Sequence, residues 1–585
     1  MPIELPAALI GNGSLLATIS ARGELLRLWW PHPDRAQHLG KLRLGLERDA
    51  KVRWLDEEPF EWSQEYVADS TIVRTIGRLG GLTVEIDDLV LPDEPVLRRR
   101  ISSDAAGATL VLTCVPELDE RTRGMATHAD LATGAVAFYR SPVALALATR
   151  PDSGQAYGGL GRVHATLRAA LDGSAEVVCA FASSPAAAAT RATRALAASF
   201  EQHAEARRRA DAAQLALAQP PQLEEVEQLY RRSLLVFDLL ADAETGAVIA
   251  APELDPDFVQ SGGYGFVWPR DLSFLVLALL ASRRTDLARR ALLWLPTAQE
   301  ESGLWLQRHW TDGSLAPSWC AHQIDETGSV LFAYEAAWRE LRDEALDEAL
   351  WPSARRAADY LLTTLDAQGI PCETADLWEE RGGCHAYTSA AVAAGLTAAA
   401  ALARRHEPDA EPIFAAAATR LRAALDRCFW SDADGRYLRT LDDPTVDASL
   451  LGLAWPFRAV DPAGARMRAT ADAVEQTLGR RGGGLLRYDG DAYVGGNPWV
   501  LAALWLGLYR RQIGDVEGHR RALAYAQRVA TPLGLLPEQV TEDGEPAWVV
   551  PLAWSHAMFV LAARPELEVV RAPSVATKSP LRVPQ

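Results

Sequence analysis

Residues 262–283 read GGYGFVWPRDLSFLVLALLASR. A loop of glycines and aromatics ends in the charged pair Arg270-Asp271. It runs without a break into an apolar stretch over 271–283 with the 3.6-residue period of a helix. The same unit recurs along the rest of the chain. Helical periodicity predicts helices over 224–242, 271–283, 285–299, 325–343, 346–366, 386–405, 411–428, 448–456, 463–478, 496–512, 515–530 and 551–563. Twelve helices in six antiparallel pairs are what an (α/α)6 barrel requires. Between the pairs lie loops rich in Trp and Gly: GGYGFVWPRD, LQRHWTDGSLAPSWCAHQIDE, ETADLWEERGGCHAYT, LLRYDGDAYVGGNPW and LLPEQVTEDGEPAW. Polar and aromatic residues crowd into these loops rather than the helices, the pattern of a cleft mounted on a rigid scaffold.

Upstream the period changes. LLATIS, LLRLWW, STIVRTIGRL, LTVEIDDLVL, TLVLTCVP and AEVVCAFA are short alternating runs separated by Gly, Pro and Asp turns, which predicts an antiparallel β-sandwich. The expected organisation is a sandwich over 1–190, a linker helix over 191–222 stopped by Pro220-Pro221, the barrel over 223–568 and a disordered polar tail over 569–585.

Composition removes several kinds of chemistry. The 585 residues are 49% hydrophobic and 23% charged, enough apolar surface for a core. Acidic residues exceed basic ones, 77 to 59, and a net charge of −18 disfavours a nucleic-acid or anionic-membrane partner. Lysine occurs only at 41, 51 and 578, so no Schiff-base or P-loop lysine can lie between 52 and 577. The six cysteines form no C-x-x-C and read as reduced thiols, with a Cys372–Cys384 pairing left open. None of the eleven histidines sits in H-x-x-x-H, so no metal and no cofactor is expected. The N-terminus lacks a basic region followed by an apolar one, and the charge-free run 386–403 is poor in large side chains. A cytoplasmic protein is expected, with that run as a core helix.

Carboxylates in aromatic surroundings remain, since no G-x-S-x-G elbow appears. Cleaving a glycosidic bond needs one carboxyl kept protonated and one ionised on the opposite face of the sugar, and indoles stack on sugar rings. Asp376-Leu377-Trp378-Glu379-Glu380 packs three acids around an indole, and Glu538 stands alone in Leu536-Pro537-Glu538-Gln539. Crowding beside an indole raises a carboxyl pKa, as a general acid requires. Taken alone, the first cluster reads more readily as a solvated loop or helix N-terminus, and Glu538 as a surface residue.

GGYGFVWPRD (262–271), DLWEERGGCHAYTSA (376–390), GGNPW (495–499), PEQV (537–540) and PLAWSHAMF (551–559) together resemble glycoside hydrolase family 15, the group of glucoamylases, glucodextranases and bacterial trehalases. The motifs stand in family order over about 260–563, and GNG at 11–13 resembles the sandwich domain of prokaryotic members. The resemblance implies an inverting catalytic barrel. It implies Glu379 as general acid, Glu538 as the base that activates water, and Glu380 as a neighbouring carboxylate that binds sugar hydroxyls. It further implies Arg270 and Asp271 as the grip on the non-reducing-end glucose, with Tyr264 and Trp268 as aromatic walls; Trp378, followed by Gly382-Gly383, reads as a cleft wall from its own surroundings. Arg487, Asp491 and Trp499 fall where the family has further binding residues. For Trp499 and Trp554 core packing is an equal reading, and Asp325 and Glu326 are open between the cleft and a helix start.

His385-Ala386-Tyr387 and the loop 303–324 depart from the family pattern at positions that set linkage preference. The expected activity is exo-hydrolysis of α-1,4- or α-1,6-gluco-oligosaccharides, small-molecule substrates, with release of β-glucose. A trehalase of the same family and a non-catalytic sugar-binding barrel are the alternatives.

Overall fold

The structure is a computed structural model that describes residues 3–564 apart from 122, 130–133, 151–153 and 159–162, together with 567 and 570. The tail expected over 569–585 lies outside the described residues except for Val570.

The N-terminal strands form antiparallel sheets. One has eight strands, in the order Ala126–Ala129, Val136–Arg140, Val143–Arg150, Ser174–Ala182, Val96–Ser103, Leu82–Val90, Val73–Leu79 and Glu61–Tyr66. A second has five: Gly154–Gly158, Val163–Ala170, Thr109–Pro116, Leu39–Arg48 and Lys51–Trp54. Alternation decides which face is buried. Val163, Ala165, Leu167 and Ala169 point inward while His164 and Ala170 are exposed. Leu44, Leu46, Leu110 and Leu112 of the five-stranded sheet share one apolar core with Val84, Ile86, Leu97 and Ile101 of the eight-stranded one. A three-stranded sheet, Ala8–Gly11, Leu16–Ile19 and Leu25–Trp29, joins the same core.

The single helix expected over 191–222 is two helices, α1 (Pro185–Ala197) and α2 (Phe200–Ala216). The first starts inside the stretch assigned to the sheets. Ser184 caps it and Pro185 supplies its first turn, and its Ala188, Ala189 and Ala192 pack on Ala144, Ala146 and Ala180 of the eight-stranded sheet. The break between them is a capping box, in which Ser199 and Gln202 each hold the other's backbone N–H.

Eleven further helices follow: α3 (Glu227–Leu240), α4 (Pro269–Ala281), α5 (Thr285–Trp294), α6 (Ile324–Leu341), α7 (Glu344–Thr363), α8 (Ala386–His406), α9 (Glu411–Cys428), α10 (Ala465–Leu478), α11 (Val500–Gln512), α12 (Val516–Val529) and α13 (Ala553–Ala563). The twelfth expected helix, 448–456, is instead a 3-10 segment, Ala448–Leu453. Gly452 lies in it, pressed so close to Tyr387 that a Cβ would meet the ring at 2.7 Å, and Pro456 prevents its extension. The order α4, α6, α8, the 3-10 segment, α11 and α13 is a chain of neighbours, and α13 returns to α4 to close a ring. Outside it, α3 lies on α13, α5 on α4, α7 on α6, α9 on α8, α10 on the 3-10 segment and α12 on α11. Every residue of α13 and nearly every one of α4 is buried, whereas α9 and α12 bury one stripe.

The apolar run in α8 is long enough to cross a membrane, but 89% of its window is buried inside the protein. Its small residues let it approach α6 closely, and a Cβ on Gly395 would meet the backbone of Gly328 at 2.9 Å.

The sheets grip the helical part near one end of the ring. In GNG, Asn12 donates to the Leu91 and Glu94 carbonyls, and Gly13 accepts from Ala243 N just past α3. Gly13 has φ +83°, and a Cβ there would meet Ala241 O at 2.9 Å. Arg27 donates to Leu254 O at 2.9 Å, and buried Asp34 accepts from Thr311 N at 2.6 Å. Leu254 lies just ahead of GGYGFVWPRD in the connection from α3 to α4, and Thr311 lies in the Trp-rich loop before α6.

Candidate active site

Short antiparallel bridges tie the loops together: Val267 with His309, Asp447 with Tyr488 and Trp499 with Gln539, while Leu485 pairs with Trp499 across the base of one loop. A cavity of about 410 Å³ opens between them. Ten of the eleven residues expected at the site line it: Tyr264, Trp268, Arg270, Asp271, Trp378, Glu379, Glu380, Arg487, Trp499 and Glu538. Asp491 stands behind the wall and holds Arg487 in a bidentate pair at 2.7 and 2.9 Å. Trp554 also lines the cavity, and its ring lies 5.6 Å from the Arg270 guanidinium.

Glu379 sits on a hairpin. Thr374 and Ala375 pair with Gly383 and Gly382, and the Asp376 carboxylate closes the turn by accepting from Glu380 N and Arg381 N at 2.8 and 3.1 Å. Glu379 itself has φ +65°, a conformation that side chains other than glycine rarely adopt. Its carboxylate accepts from Trp268 Nε1 at 2.7 Å and lies 3.5 Å from Arg270. Trp378 turns the other way and donates to Asp447 at 3.0 Å. Glu380 accepts from Arg487 at 2.7 Å and from the Tyr488 hydroxyl.

Glu538 is held on the facing loop by two backbone bonds, its N–H to Val549 O at 2.8 Å and its carbonyl from Val500 N at 3.0 Å. Tyr264 donates to Oε1 at 2.6 Å and Gln539 to Oε2 at 3.1 Å. Burial pushes its carboxyl up to about 7, and the two donors oppose that rise. Tyr264 and Trp268, with ring centroids 6.3 Å apart, thus form one aromatic wall that holds a carboxylate at each end.

Arg270 lies deep, 3% exposed, in the first turn of α4. Asp271, Asp325 and Glu326 lie within 3.4 Å of its guanidinium, and Gln323 accepts from it at 2.7 Å. Asp325 and Glu326, left open between cleft and helix start, flank Arg270 from the first turn of α6 and do not line the cavity. Burial, with repulsion from Glu379 and Asp325, raises Asp271 to about 7 despite Arg270, and its Oδ1 has no hydrogen-bond partner. The Asp271 side chain is 16% exposed and lines the cavity beside the Arg270 guanidinium, so the pair offers donors and an acceptor to a sugar hydroxyl.

Several residues at the site were not anticipated. The Tyr493 hydroxyl lies 3.0 Å from that of Tyr264, and Trp319 donates to the Glu379 carbonyl at 3.1 Å. Arg308 stacks between Phe266, Trp268 and Trp319 and bonds to Gly263 O and Pro317 O, joining two loops. Tyr493 stands two residues ahead of GGNPW and Trp319 within SWCAHQIDE, and that proximity was their only signal. All six cysteines are free thiols, and among the described residues no group of three or more His, Cys, Asp or Glu is placed to hold a metal ion.

A pocket that sets two carboxylates on an aromatic wall, beside a buried arginine, is suited to acid–base cleavage of a glycosidic bond. The family model described as Glycosyl hydrolases family 15 matches residues 225–564, and the chain belongs to that family. A domain of unknown function matches residues 36–149. An uncharacterized glycosyl hydrolase of Methanocaldococcus jannaschii is 34% identical over 361 residues, 58% of this chain and 57% of that protein. A glucoamylase of a Clostridium species is 26% identical over 57% of this chain and 52% of its own length, and an isomaltose glucohydrolase of Kribbella flavida 31% over 35% and 55%. The chain thus spans a little over half the length of these curated relatives. Of solved structures, a bacterial glucoamylase in complex with acarbose superposes with a TM-score of 0.82 at 19% identity, covering 96% of this chain and 93% of its own, and so shares the fold.

Proposed function

We propose that this protein is an inverting, exo-acting α-glucoside hydrolase of glucoamylase type that releases β-glucose from the non-reducing ends of α-1,4- or α-1,6-gluco-oligosaccharides. The closed ring of inner elements, each backed by an outer helix, is read as an (α/α)6 barrel, and the layered sheets as a β-sandwich that buttresses it. The observation that carries the reading is the aromatic wall with Glu379 at one end and Glu538 at the other, above the deep Arg270. In this reading Arg270 and Asp271 hold the terminal glucose and protonated Glu379 gives its proton to the leaving oxygen. Glu538 takes a proton from water on the opposite face, while Glu380, fixed by Arg487, accepts from sugar hydroxyls.

Glucose released from maltotriose, isomaltotriose and trehalose in parallel tests the substrate class. Glucose with a disaccharide from either trisaccharide supports the proposal. Glucose from trehalose alone replaces it with a trehalase, and release from none refutes hydrolysis of these linkages.

The pH profile carries a second expectation. A base must be ionised, so kcat/KM falls as pH drops through the Glu538 pKa, and burial places that limb near pH 7. The Tyr264 hydroxyl stabilises the ionised form. Tyr264→Phe should therefore move the acid limb to higher pH, and an unmoved or lower limb would remove Glu538 from the role of base.

A further inference from the structure

We propose that the rim loop 255–263 is the platform for the sugars that leave, with the exposed Phe258 ring as its stacking face, and that it sets a preference for substrates longer than a disaccharide. The proposal rests on the hydrolase reading above and extends it from the bond cleaved to the chain beyond that bond.

Nine large apolar side chains are exposed among the described residues, and three of them, Phe258, Val259 and Trp319, stand on this one cavity. Apolar side chains scattered singly over a surface need no explanation, but a cluster at the mouth of a cavity marks a binding face. Val259 is 78% exposed and Phe258 48%, and both line the cavity. Arg270, 3% exposed, lies at the depth of the same cavity, and Phe258 and Val259 stand at its exposed rim. A glucose held at Arg270 therefore directs its aglycone toward the mouth.

The loop is built to hold that face in place. The Asp255 carboxylate, itself 3% exposed, accepts from the N–H groups of Val259, Gln260 and Ser261 at 3.0, 2.6 and 2.9 Å. Glu253 accepts from Asp255, Tyr264 and Gly265. Arg27, from the N-terminal sheet, fixes the Leu254 carbonyl at the start of the loop. Phe258 stands at φ +52°, a backbone conformation that costs free energy and that surrounding contacts must enforce. Adjacent glycines seat adjacent rings. A Cβ on Gly262 would lie 1.9 Å from the Trp319 indole, and one on Gly263 would lie 2.5 Å from the Phe258 ring. A rigid rim offers its apolar surface without an ordering cost at binding. The C–H face of a pyranose is the matching surface, so the occupant is the second or third glucose unit of an α-gluco-oligosaccharide.

The test compares kcat/KM for a disaccharide and a tetrasaccharide of whichever linkage the wild type cleaves, in the full chain and in Phe258→Ala and Phe258→Tyr. The wild type should prefer the tetrasaccharide. Phe258→Ala should reduce that preference roughly two- to twelvefold, the range of one aromatic stacking contact, chiefly through KM, and Phe258→Tyr should restore it. A structural defect would lower both substrates together and leave the ratio unmoved, so an unchanged ratio in Phe258→Ala overturns the proposal. If the wild type cleaves no α-glucan, the hydrolase reading fails separately. The rim is then judged by tryptophan-fluorescence titration with maltotetraose, where weaker binding by Phe258→Ala supports it. Equal affinity, or no binding by the wild type, overturns it.

Discussion

Glu379→Gln should lower turnover of α-gluco-oligosaccharides by roughly 10²- to 10⁴-fold, the range of one general-acid contribution, with little change in KM. The amide keeps the side chain's shape and can still accept from Trp268 Nε1, so the cavity stays intact. What it loses is the proton for the leaving oxygen. α-Glucosyl fluoride, whose leaving group needs no proton, separates the two carboxylates. Glu379→Gln should hydrolyse it at a rate near that of the wild type, whereas Glu538→Gln, lacking the base, should fail on fluoride and oligosaccharide alike. Near-normal turnover of maltotriose by Glu379→Gln would remove it from the mechanism, and equal losses on fluoride in both variants would remove the division of roles.

The second large effect concerns Arg270. Arg270→Met keeps most of the side-chain volume but leaves Asp271, Asp325 and Glu326 without their shared cation. Breaking one side of a buried ion pair costs on the order of 3–5 kcal/mol. The expected result is a markedly lower denaturant midpoint at neutral pH, together with loss of glucose binding. The sign of the pH dependence follows from the carboxyls. Burial already raises Asp271, Asp325 and Glu326, and without the guanidinium they rise further and bind protons more readily. A folded-state pKa above the unfolded value gives stability that is present at low pH and lost as pH climbs through the folded value. The variant should therefore come closest to the wild type at about pH 5 and fall furthest behind at pH 8. A deficit that is small, or the same at both values, would mean that Arg270 does not neutralise this cluster.

The parts of the site that were legible in the sequence are those in which a loop carries its own chemistry. GGYGFVWPRD delivers Tyr264, Trp268, Arg270 and Asp271 from ten consecutive residues, and the hairpin at 374–383 delivers Trp378, Glu379 and Glu380 from three. Helix period found the outer helices because they bury one stripe, and the inner ones, buried almost all round, stood out as apolar runs such as 271–283; the reading failed at 448–453. There Gly452 against Tyr387 and the following Pro456 tightened the turn to a 3-10 segment. The split between α1 and α2 was readable, since Ser199 and Gln202 stand at capping-box spacing, but the Ala-rich flanks read as one helix. Contacts made across the fold left no local trace. Glu326 meets Arg270 from 56 residues away, Arg27 reaches Leu254 over 227, and Asp34 reaches Thr311 over 277. Composition and period do not record such pairings.

The most direct measurement is time-resolved proton NMR of the anomeric signals as the purified protein acts on maltotriose or isomaltotriose, read before mutarotation equilibrates the product. Acid and base on opposite faces of the sugar predict that β-glucose appears first. Glucose that appears first as the α anomer would contradict the account, because it would require one of the two carboxylates to act as a nucleophile rather than as the base for water.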